Sequence, residues 1–291
     1  SNNEANNGGG INGYINMSSG EVSGNISKES GGGILIGNAS SIISGGKVIS
    51  NTSEKYGGGI ASGSGNLTIS GNVLIAGNSV NNDGGGINFS CTSDCKLIVE
   101  GGQISNNNSG GMGGGVYIFA NEGANATFEI AGNALIDSNI SNSEGGGIFS
   151  SANTIVNIIS GKISGNKSET NNGAGMHTGG IVNMFGGKIS GNSTDYSGGG
   201  VTHCSHSPFI MTGGTIENNF SKQRSGGGVH LLGPFILDGG TIKNNTAGLA
   251  NGGITVSLYN DYKGTYTYKK GTVCGNTPTN SYETHSTCPA S

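Results

Sequence analysis

The chain is short of charge, and of positive charge most of all: 10% of its 291 residues are charged, a single arginine stands at Arg224, and the net charge is −4. Nucleic-acid binding draws on Lys and Arg set against phosphates, so the missing basic stripe excludes a nucleic-acid partner. Electrostatic docking on an anionic membrane is unsupported for the same reason. No apolar run approaches the roughly 20 residues that span a bilayer as a helix. Helical periodicity is also lacking, so no segment is expected to bury a helix face.

What is plentiful is glycine, at 60 residues, with abundant Asn and Ser. Such a composition resembles a disordered linker, but the order of the residues does not. Ten times an aliphatic residue is followed three positions later by asparagine, ending at Asn25, Asn51, Asn78, Asn107, Asn139, Asn166, Asn192, Asn219, Asn245 and Asn276. Nine or ten residues after nearly every one of these, the chain reaches a glycine triplet capped by an apolar residue, as at Ile34, Ile60, Ile87, Val116 and Ile148. Two triplets are degraded, to Gly173-Ala174-Gly175 and Asn251-Gly252-Gly253.

The spacing of the glycine beat runs from 23 (Ile11 to Ile34) to 32 residues (Val116 to Ile148), which marks a solenoid or array. A third beat of alternating apolar residues, such as Leu67/Ile69, Phe128/Ile130 and Phe235/Leu237, lies between the other two and reads as a short strand. The expected fold is therefore all-β: a right-handed, single-stranded parallel β-helix of about ten coils, each of three short strands, over residues 1–276. Stacked roughly 4.8 Å apart, the coils place like residue on like, and the ten asparagines become a buried amide ladder. Residues 277–291 form a tail, expected to be tied to the last coil by Cys274 and Cys288, with Tyr259, Tyr262, Tyr266 and Tyr268 capping that end.

Length variation falls between the glycine-led strand and the middle strand, as at Cys91 to Cys95 and Phe119 to Asn125. In a solenoid such insertions emerge along one edge, where recognition sits most readily. Cys91–Cys95 and Cys274–Cys288 are expected as local disulfides, with Cys204 left over, which fits an oxidising extracellular setting. Sequons at Asn38, Asn66, Asn88 and Asn125 lie off the ladder and are candidate glycan acceptors.

Chemistry-bearing residues are sparse. Glu100, Asp137, Glu217 and Asp238 fall singly, in different coils and at different repeat positions, so the paired carboxylates of a polysaccharide hydrolase or lyase are not seen and no catalytic residue or cofactor is assigned. His177, His203 and His230 lie in successive coils just after the glycine beat and are weak candidates for a transition metal. Alternation points His177 and His230 outward, about 10 Å apart, and His203 inward, so a metal-free surface cluster is the expectation. The same outward position carries Tyr117, Phe149, His177, Thr202 and His230 in consecutive coils, an aromatic ladder able to stack on sugars or protein partners.

The order aliphatic-x-x-Asn then Gly-Gly-Gly-Ile, as in Ile189-Ser190-Gly191-Asn192 followed by Gly198-Gly199-Gly200-Val201, resembles the paired FxxN and GGA[ILV] repeats of the polymorphic outer-membrane protein family. Here Ile or Val replaces Phe, and Gly replaces Ala. The resemblance runs along essentially the whole chain and implies a β-helical autotransporter passenger: secreted, displayed at the cell surface, adhesive, and without catalytic residues to carry over. The expected function is thus a non-enzymatic surface adhesin or structural protein whose partner is a host-cell or extracellular protein or glycan. The alternative is an extracellular filament subunit. The chain starts almost directly in a glycine beat, reads as a processed or excised piece, and would stack head to tail through uncapped ends.

Overall fold

A computed structural model describes residues 1–259, 262–278 and 288. It is all-β, a parallel solenoid of about ten turns. Among the described residues there is no helix, and the single antiparallel pairing joins Leu258–Tyr259 to Tyr262–Lys263.

Each full coil holds four short strands rather than the expected three. The additional one follows the asparagine directly, as at Thr52–Ser53, Ser79–Val80 and Asn108–Ser109, and these pair in a ten-stranded sheet of their own. Two residues are too few to show alternation, which is why this face has no periodic signature. The glycine-led strands make a second ten-stranded sheet. The middle strands and the strands before the asparagine share an eighteen-stranded sheet, because in the last two coils Pro234–Lys243 and Thr265–Cys274 run through the corner unbroken.

Registration is vertical, with shifts where Glu4–Asn7 pairs with Ile26–Ser30 and where Pro234–Lys243 pairs with Thr265–Cys274. Ile60 pairs with Ile34 and Ile87, Ile75 with Val48 and Ile104, and Leu67 with Leu97, each 0% exposed. These columns make one narrow core, which rings extend in the last coils: Phe209 lies 4.7 Å from Phe235, and Phe235 5.8 Å from Tyr266.

Every ladder asparagine is at most 2% exposed, and from Asn25 to Asn245 each Nδ2 donates to the Oδ1 of the next over 2.8–3.0 Å along the column. Asn139 shows the full pattern. Its Nδ2 also donates to the Ile104 carbonyl, and its Oδ1 accepts from both the backbone N–H and the Nδ2 of Asn107. Two donors and two acceptor sites are thus satisfied in the dry interior, the condition under which a buried amide is stable. The column extends one rung beyond the repeat, since Asn3 Nδ2 donates to Asn25 Oδ1 at 3.0 Å.

The glycine triplet is explained by the same column. Its third member passes so close to the ladder that a Cβ on Gly59 would lie 2.6 Å from the Gly86 carbonyl oxygen and 2.9 Å from Asn78 Nδ2. Its first member takes a left-handed φ, +63° at Gly57, and where the triplet is degraded Asn251 holds that place at φ +56°, a conformation asparagine tolerates better than most.

At the C-terminal end Cys274 is bonded to Cys288. The rest of the expected tail lies mostly outside the described residues, as do the side chains of Tyr259 and Tyr262. Tyr268 is half exposed, and its hydroxyl donates to the Gly271 carbonyl.

Candidate binding groove

The outward column of the glycine-led sheet runs Leu35, Ala61, Asn88, Tyr117, Phe149, His177, Thr202, His230, Thr255 in strict register. Tyr117 stacks on Phe149 at 5.2 Å and Phe149 on His177 at 5.5 Å, with ring planes within 15°. The predicted ladder is therefore continuous over three coils. Thr202 then separates His177 from His230.

The ladder is less exposed than alternation implies. Tyr117 and Phe149 are half-buried, and His177 and His230 are each only 9% exposed, which corrects the expectation of a surface histidine cluster. Two rims cause this. On one side stand the residues immediately before the glycine triplets, Tyr56, Asp83, Met112 and Glu144, linked coil to coil by backbone hydrogen bonds. On the other side the insertions lengthen paired strands into a ridge: Ile87–Cys91 and Val116–Ala120 reach five residues, and the Cys91–Cys95 disulfide closes the first of them. Thr92 N–H donates to Ser64 Oγ at 2.8 Å, and Asn125 N–H to Asp94 Oδ1 at 2.9 Å, so the ridge is tied to its neighbours. The ladder is the floor of a groove between these rims.

Burial sets the electrostatics of the groove. It pushes the carboxyls of Asp83 and Glu144 above the usual range; at Asp83 this is partly offset by the Met112 N–H, which donates to Oδ1 at 2.8 Å. The Tyr117 phenol rises to about 12, first through burial and then through the nearby charge of Asp83. His177 falls to about 4 through burial and is neutral near pH 7; its Nδ1 has no hydrogen-bond partner and lies 3.9 Å from Glu144 Oε1. His203 points into the core as expected, with its ring edge-on to Phe209 at 6.0 Å and Nε2 donating to the Ser207 carbonyl at 2.8 Å. His230 places Nε2 2.8 Å from Ser257 Oγ.

The metal candidates His177, His203 and His230 thus divide between an outward and an inward column. Among the described residues no three His, Cys, Asp or Glu side chains converge on a point that would hold an ion. Of the scattered acids, Glu217 is paired with Lys188 and Lys243, and Asp238 with Lys269 and Lys270, all on the eighteen-stranded sheet. Asn88, a candidate glycan acceptor, is 4% exposed and donates to the Asp83 carbonyl, so it is not an accessible sequon.

Asp83 and Glu144 are the residues that sequence reading missed. They are two strand spacings apart, about 10 Å along one rim. The signal was present: each directly precedes its glycine triplet, a repeat position as definite as the ladder itself. The groove therefore offers a floor on which Tyr117, Phe149 and His177 stand as stacked rings, carboxyl groups along one rim, and no lysine or arginine on the floor column. Comparison of the chain with protein families, with curated proteins and with solved structures finds no match in any of the three.

Proposed function

We propose that this chain is a non-enzymatic, surface-displayed or secreted adhesin-type scaffold that grips an extracellular protein or glycan along the groove of its glycine-led sheet. The observation that carries this reading is the registered Tyr117–Phe149–His177 stack held between two rims. The asparagine column repeats from coil to coil, whereas this outward column changes residue at almost every coil and gathers large planar side chains. Half-buried aromatics with polar surroundings are what recognition surfaces concentrate. Two short-range disulfides, at Cys91–Cys95 and Cys274–Cys288, support an oxidising location.

The test is adhesion of the purified chain to cultured cells and to immobilised extracellular matrix. Tyr117→Ala combined with Phe149→Ala is expected to abolish binding while leaving the far-ultraviolet circular dichroism unchanged. Adhesion that survives the double substitution would remove the groove from the account. Sustained polysaccharide hydrolysis that Asp83→Asn or Glu144→Gln eliminates would replace the scaffold reading with an enzymatic one.

A further inference from the structure

The aromatic ladder stops at Tyr117 because the next outward positions are Asn88 and Ala61. One face of the Tyr117 ring is stacked on Phe149, and the other opens onto a cavity of about 530 Å³ floored by Asn88 and Ala61. Phe119 lies two residues along the same strand, its ring 6.5 Å from that of Tyr117 and within 10° of parallel. Rings that stack across strands have their normals along the solenoid axis. Two parallel rings on one strand are therefore side by side, and together they make a flat apolar wall two rings wide.

Around that wall the cavity is polar. Ser62, Ser90 and Thr92 contribute hydroxyls, Asn121 an amide and Asp83 a carboxyl, and no Lys, Arg or His lines it. Asp83 Oδ1 accepts from Met112 N–H. From this geometry we infer that the cavity is a subsite for a neutral glycan, with one or two pyranose rings laid against Tyr117 and Phe119 and their hydroxyls directed to Asp83 and the serine and threonine rim. A pyranose has an apolar C–H face and a rim of equatorial hydroxyls, which is the complement of a flat aromatic wall with polar edges. The acidic rim and the lack of any cation disfavour uronic-acid polymers, whose carboxylates would be desolvated without a counter-charge. This inference rests on the reading of the groove as the adhesive surface and specifies its ligand.

The chain has no tryptophan, so the summed emission of its nine tyrosines is free of that background, and the part due to Tyr117 is the change lost in Tyr117→Ala. Calorimetric and fluorescence titrations with cellohexaose, mannohexaose and chitohexaose are compared with hexagalacturonate. At least one neutral hexasaccharide is expected to bind, and Tyr117→Ala with Phe119→Ala to weaken it by at least about tenfold. Asn88→Tyr, which adds a ring in the empty slot and leaves the wall in place, is expected to block binding as well. It serves as the second variant should the first unfold. Binding of none of the neutral sugars, tighter binding of hexagalacturonate, or affinity unchanged in a folded Asn88→Tyr protein would overturn the inference. Cell adhesion measured on the same proteins separates the two readings: adhesion without any sugar binding sinks the glycan subsite and leaves the adhesin.

Discussion

Two columns of side chains run the length of this solenoid, and they obey opposite rules. The inward asparagine column is the same residue at every coil, while the outward column of the glycine-led sheet passes through Leu, Ala, Asn, Tyr, Phe, His and Thr. The difference is one of environment. Inside, each amide must meet an identical amide above and below, so the residue is fixed by its neighbours. Outside, a side chain needs only to fit a pleated face, so the position is free to carry recognition. In a quasi-one-dimensional fold the stability of each coil comes from its nearest neighbours, which makes the inward column the place where one change does most harm.

The largest expected effect is Asn139→Ala. It leaves the Asn107 backbone N–H and one Asn107 Nδ2 hydrogen without partners and takes a side-chain donor from the Ile104 carbonyl, in a site that is 0% exposed. At roughly 1–3 kcal/mol for each stranded group the loss is about 2–6 kcal/mol, read from urea unfolding followed by circular dichroism. A loss below about 1 kcal/mol would mean that the column is not what enforces the repeat. Next comes Gly147→Ala, where the new Cβ would lie 2.6 Å from the Gly175 carbonyl oxygen and 2.9 Å from Asn166 Nδ2. Backbone on one side and a locked amide on the other leave little room to relax, so about 2–3 kcal/mol is expected in the same assay.

Most of the fold was legible because the two beats are consequences of that crowding: asparagine where amides stack, glycine where the chain passes beside them. The fourth strand was not, since Thr52–Ser53 and its counterparts are two residues long and show no period. The groove was only half legible. Tyr117, Phe149 and His177 could be aligned by counting from the glycine beat, and they do stack. Their burial could not be foreseen, because the rims are built by Asp83 and Glu144 at an unremarked repeat position and by insertions whose strands continue pairing. Periodicity gives the direction of a side chain; it does not show what leans over it.

The histidines sharpen the comparison through pH. His203 is 0% exposed in the core, and burial lowers it from the ordinary 6.5 to about 4. A folded-state value below the unfolded one means that the stabilising contribution is complete above about pH 6.5 and is lost as the pH falls toward 4, because the unfolded chain takes up a proton that the folded one refuses. Asp83 and Glu144, raised by burial, act in the opposite sense, but they are common to wild type and variant. Between about pH 7 and about pH 4.5 the wild type is therefore expected to lose about 2 kcal/mol more stability than His203→Gln, as measured by urea unfolding at each pH. Equal losses would show that the ring is protonated in the folded state.

The smallest effect belongs to the outward column. Phe149→Ala removes the central ring of the stack, 5.2 Å from Tyr117 and 5.5 Å from His177, but leaves every ladder amide and every core aliphatic in place. A half-buried ring with two stacking partners contributes about 1 kcal/mol, so the unfolding midpoint should shift slightly while the cooperativity of the transition stays as it was. Adhesion, by contrast, should fall steeply. A variant that keeps its fold and loses its grip would separate the two columns by experiment. If Phe149→Ala were as destabilising as Asn139→Ala, the outward aromatics would be part of the packing, and their position under the rims would need no ligand to explain it.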